Sequence, residues 1–156
     1  MTAALRALAG ATAALTIGVL AGVTARVLMR LVAVVGGAET GFSLGGSLAI
    51  VALFVLAMLP GAAAVGLGRR RTGAVLLWTG AAVLLFQSAV IPLQEDRAAL
   101  FGAGAGTTVL AVVLLLSFPA LVLAQTVATA RAARLLAARL VPAAPRPEAT
   151  VGAAAR

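Results

Sequence analysis

Four apolar stretches, each long enough to cross a lipid bilayer, are joined by short segments that carry nearly all of the charge. A helical span needs about 20 apolar residues at a rise of about 1.5 Å each. Residues 46–68 form one such run, stopped by Arg69, Arg70 and Arg71. Residues 73–93 form the next and give way to Gln94, Glu95, Asp96 and Arg97. Residues 104–128 form the last. That helix is expected to continue past the membrane through Arg131, Arg134 and Arg139 to about residue 141, ahead of Pro142. The runs are continuous, whereas a membrane barrel shows alternating stretches of about ten residues. The expected class is therefore all-α: a polytopic membrane protein with four transmembrane helices in an antiparallel bundle.

The first span has two boundaries in competition. Residues 7–25 are uninterrupted and apolar, yet apolar character resumes after Arg26 and Arg30 as Leu31, Val32, Ala33, Val34 and Val35. One helix over 7–36 would be about 45 Å long and could tilt within a core of about 30 Å. The resumed run favours this long helix, with Arg26 and Arg30 in its outer half. A rival is a signal peptide cut after Val23-Thr24-Ala25. The stretch exceeds the roughly 7–15 residues of such a hydrophobic region, so the uncut reading is preferred.

Charge sets the orientation. With the N-terminus inside, the inner segments hold Arg6, Arg69, Arg70, Arg71, Arg131, Arg134, Arg139, Arg146 and Arg156 against Glu148 alone. The outer side holds Arg26, Arg30 and Arg97 against Glu39, Glu95 and Asp96, so the whole net charge of +8 lies inside. The positive-inside rule then places both termini of a multi-pass plasma-membrane protein in the cytoplasm. Residues 1–141 read as one transmembrane domain. The Pro- and Ala-rich stretch 142–156 reads as a disordered cytoplasmic tail.

Composition narrows the function. The chain is 63% hydrophobic and 10% charged, more apolar surface than a soluble domain of 156 residues could bury. It has no Lys, His, Cys, Tyr or Asn. Haem, zinc and copper sites lack their usual ligands, so no cofactor is expected. No carboxylate lies inside a span, no phosphate loop is present, and no general base accompanies the membrane serines. An enzyme is not expected. The basic surplus flanks apolar spans and so reads as topology, not as nucleic-acid binding.

Several residues stand out. Arg26 and Arg30 share a helix face at a spacing of four. With Glu39, Glu95, Asp96 and Arg97 they form a candidate intramembrane ion-pair cluster, since arginines at such depth usually face the bundle interior and have partners. The alternative is that they snorkel to the outer headgroups. Arg69, Arg70, Arg71, Arg131, Arg134 and Arg139 are candidate contacts for anionic lipid headgroups. Gly18-x-x-x-Gly22 and Gly102-x-x-x-Gly106 match a close-packing motif, although a chain this rich in small residues produces such matches by chance. Pro60 and Pro119 interrupt the second and fourth spans in corresponding positions, a pairing that can mark a transporter binding site, although membrane helices commonly tolerate proline. Gln87, Ser88, Ser117 and Gln125 are expected to hydrogen-bond between helices.

The stretch ARVLMRLVAVVGG followed by GFSLGGSLAIV, over residues 22–68, resembles a segment of small uncharacterised actinobacterial four-helix membrane proteins. The resemblance implies that Arg26, Met29, Arg30 and residues 42–47 belong to one structural unit, with Ser43 capping the second helix. It carries no activity. The expected function is a non-enzymatic structural or accessory subunit, with the bilayer, a membrane-protein partner or a second copy of the chain as partners. The alternative is a small transporter or anion-conducting pore that uses Arg26 and Arg30.

Overall fold

The computed structural model describes residues 2–35, 43–95 and 105–140. They form four helices: α1 (Thr2–Val35), α2 (Leu44–Gly66), α3 (Arg70–Glu95) and α4 (Ala105–Leu140). Three of them, α1, α2 and α4, are long and apolar enough to cross a membrane. Among the described residues α3 does not reach that threshold. It opens on Arg70, Arg71 and Thr72 and carries Thr79, Gln87 and Ser88 along its length.

α1 runs through Arg26 and Arg30 without a break. At 34 residues it is about 50 Å long, well beyond a core of about 30 Å. It starts ahead of Ala7, and α3 starts ahead of Gly73, because hydropathy marks where lipid begins rather than where helical hydrogen bonding does. Pro60 and Pro119 sit inside α2 and α4.

Glycine governs how the helices meet. On α1, a Cβ at Gly10 would collide with the Ala62 carbonyl of α2, while Gly18 and Gly22 would place one 2.8 and 2.7 Å from the Cα atoms of Val55 and Val51. Positions rise on α1 as they fall on α2, so the two helices run in opposite directions. α2 and α3 meet the same way. Gly61 lies against Leu77, Gly73 against Val65, and Gly80 against the Ala57 carbonyl. Without side chains at these points the backbones approach closely, which is how apolar helices gain contact where lipid is as greasy as leucine. The turn from α2 to α3 is a Schellman motif. Gly68 takes φ 84°, Gly68 N donates to Val65 O at 2.9 Å, and Arg69 N donates to Ala64 O at 3.0 Å.

α4 packs against α1, α2 and α3. The interior is filled by Met58, Leu77, Leu84 and Val122, all essentially inaccessible, with Phe54 and Phe118 beside them. The outward surface remains apolar: Trp78, Phe86, Leu116 and Leu135 are all exposed. A surface of that kind suits hydrocarbon rather than water.

Candidate functional site

The site grows from the start of α2. Ser43 is extended (φ −112°, ψ 113°), and its Oγ accepts from Gly46 N at 3.2 Å, the usual way of satisfying a free amide at a helix start. One turn on, Ser47 Oγ donates to the Ser43 carbonyl at 2.9 Å. Because α1 and α2 are antiparallel, Arg26 on α1 lies level with this turn. Its Nε donates to Ser47 Oγ at 3.1 Å. The Ser47 hydroxyl thus receives one hydrogen bond and gives another, locking the arginine to the cap.

Arg30, one turn further along α1, is half-buried and is itself engaged. Both arginines line an open groove of about 330 Å³ with Val23, Val27, Ser47 and Val51. The small-residue ladder Ala14, Gly18, Gly22 leads directly to this place. Ala14 is fully buried, and the two glycines lie against α2. Of the candidate ion-pair cluster, Arg26 and Arg30 are brought together here. Glu39, Asp96, Arg97 and the side chain of Glu95 lie outside the described residues, as does the Gly102 motif. Ser47 was expected only as part of one unit with Arg26, and its role as the arginine's hydrogen-bond partner was missed in favour of the acids. Pairing α1 with α2 as a hairpin through the Gly18–Gly22 motif would have found it.

At the opposite end, Gly66 packs against the Arg6 carbonyl, which sets the α2–α3 turn beside the start of α1. Arg69, Arg70 and Arg71 are exposed there. Arg131, Arg134 and Arg139 are exposed on the last turns of α4, and Arg134 Nε donates to the Ala130 carbonyl at 2.9 Å. Of the membrane polar residues, Ser88 and Ser117 bond back to Leu84 and Val113 of their own helices. Gln125 does cross between helices, its Nε2 donating to the Phe54 carbonyl of α2 at 3.0 Å. Gln125 Oε1 and the Thr129 hydroxyl are buried without a hydrogen-bond partner among the described residues.

No protein-family model, curated protein or solved structure matches this chain.

Proposed function

We propose that the chain is a non-enzymatic integral membrane protein of the bacterial plasma membrane, acting as a structural or accessory subunit. All four helices cross the bilayer as an antiparallel bundle, with both termini cytoplasmic. The observation that carries this reading is the glycine-mediated contact of α1, α2 and α3 around an apolar interior. Such an interior holds helices together, and among the described residues its buried polar side chains are few: Gln125, Thr126 and Thr129 of α4. Support for a crossing by α3 comes from its neighbour. It lies against α2 from Val65 to Ala57, the heart of a span, and a helix following a span that far shares its membrane. Its exposed Val75, Trp78 and Phe86 are suited to lipid. The net charge of +8 on the inner segments sets the orientation and gives the inner face an attraction for anionic headgroups.

The second reading is anion handling, favoured by the open groove that Arg26, Arg30 and Ser47 line. Neighbouring acids, Glu39, Glu95 or Asp96, would neutralise that groove and turn it into a clamp tying α1 to the outer loops. Affinity purification in a mild detergent discriminates the two. A stoichiometric membrane-protein partner supports the accessory role. Anion flux through liposomes containing only this chain, abolished by Arg26→Ala and Arg30→Ala, would replace it with the second reading.

A further inference from the structure

A second groove, of about 400 Å³, runs between the first half of α1 and the end of α4. Its walls are Thr12, Thr16 and Ile17 on one side and Leu135 and Leu136 on the other, with Arg139 closing the row. The volume falls in the range of about 300–1,000 Å³ usual for small-molecule sites. Two hydroxyls, of Thr12 and Thr16, and one charge, on Arg139, make up its polar lining. The Thr12 hydroxyl is committed to the Leu8 carbonyl at 2.9 Å, which leaves the Arg139 guanidinium as the charged group.

We infer that this groove holds one anionic phospholipid, with an acyl chain between α1 and α4 and its phosphate on Arg139. The inference rests on the membrane reading above, in which this end faces the cytoplasm, and it adds a defined site to a diffuse basic surface. Charge complementarity selects the occupant. Arg139 has no hydrogen-bond or ion-pair partner among the described residues. No acidic side chain among them lies at this end, where Arg6, Arg131 and Arg134 add positive charge. The free carbonyls at the end of α4 repel an anion, so the guanidinium must supply the attraction. Arginine suits that task because its planar fork meets two phosphate oxygens at once. Leu135 and Leu136 precede it by one turn, so chain and headgroup are met by one face of α4.

Native mass spectrometry of the purified full chain tests this, with dioleoyl phosphatidylglycerol and dioleoyl phosphatidylcholine as probes. The wild type is expected to retain one phosphatidylglycerol in preference to phosphatidylcholine. Arg139→Gln should lower that retention about fivefold. Thr16→Phe, which fills the groove from an exposed position, should lower it for both lipids. Arg134→Gln, on another face of α4 with its own carbonyl partner, should change it little. Equal losses in Arg139→Gln and Arg134→Gln would mean a diffuse basic surface and overturn the site. So would full retention by both Arg139→Gln and Thr16→Phe. Conversion of a dimer to a monomer by Thr16→Phe, with lipid retention unchanged, would assign the groove to a second copy instead. Membrane sidedness is read separately, by impermeant labelling of Leu67→Cys. Outside labelling would reject the topology, whereas the lipid retention series judges the groove on its own.

Discussion

Arg26 Nε lies 3.1 Å from Ser47 Oγ, and the same hydroxyl donates a hydrogen bond to the Ser43 carbonyl that begins α2. A charge on one helix is thereby tied to the cap of the next. Direct polar contacts inside membranes are worth about 0.6 kcal/mol on average and up to about 1.7. A charged donor that is partly buried belongs above that average. A double-mutant cycle of Arg26→Ala and Ser47→Ala, read by unfolding in detergent, should give a coupling of about 1 kcal/mol. Ser47→Thr keeps the hydroxyl and should keep most of the stability. A coupling indistinguishable from zero would show that Arg26 gains nothing from Ser47.

The glycines sort into two groups with opposite expected outcomes. Gly18 and Gly80 face the backbone of α2, which cannot yield as a flexible side chain does. Gly18→Ala and Gly80→Ala should each destabilise by about 1–3 kcal/mol, the usual cost of overpacking. Gly45 has only the Ser43 hydroxyl near, at 4.0 Å from a built Cβ. Gly45→Ala should be neutral or slightly stabilising, since glycine is a poor helix former. Equal thermal shifts for Gly18→Ala and Gly45→Ala would refute the close-contact account.

Much of this architecture was legible in the sequence, and the exceptions have physical causes. The helical class and three apolar spans follow from run length, which the bilayer itself dictates. The continuity of α1 past Arg26 was signalled by the apolar run from Leu31 to Val35. The starts of α1 and α3 were not legible, because arginine and threonine turns continue a helix without adding hydropathy. The four-residue spacing of Gly18 and Gly22 pointed to an interface but could not be told from chance. Gly61, Gly66, Gly73 and Gly80 share no such motif, and only pairing the helices reveals that each meets a neighbour. Ser47 was grouped with Arg26 only through the resemblance over residues 42–47, not as its hydrogen-bond partner. Its role depends on the register between α1 and α2, which composition does not carry.

Orientation gives a prediction that a chain without cysteine makes easy to test. Leu44 at the start of α2 and Leu67 at its end are both exposed, and they lie at opposite ends of one apolar helix. In intact cells an impermeant maleimide should label Leu44→Cys, and Leu67→Cys should react only after lysis. The reverse pattern would place the arginine-rich segments outside and overturn the reading of charge.

The buried polar atoms of α4 give a last and opposite kind of expectation. Thr129 is fully buried, and its hydroxyl has no partner among the described residues. Leaving such a group unsatisfied costs about 1–3 kcal/mol, whereas an apolar group of the same shape costs nothing in lost hydrogen bonds. Thr129→Val should therefore leave thermal stability unchanged or raise it by about 1 kcal/mol. Gln125 differs, because its Nε2 satisfies the Phe54 carbonyl on α2 while its Oε1 stays unpaired. Gln125→Leu removes one contribution of each sign and should shift stability less than Gln125→Glu, which would bury a carboxylate against a carbonyl oxygen. A loss of more than about 2 kcal/mol in Thr129→Val would mean that this hydroxyl does have a partner in the folded protein. Thr129→Ser would then be expected to recover part of that loss, by keeping the hydroxyl while giving up the methyl.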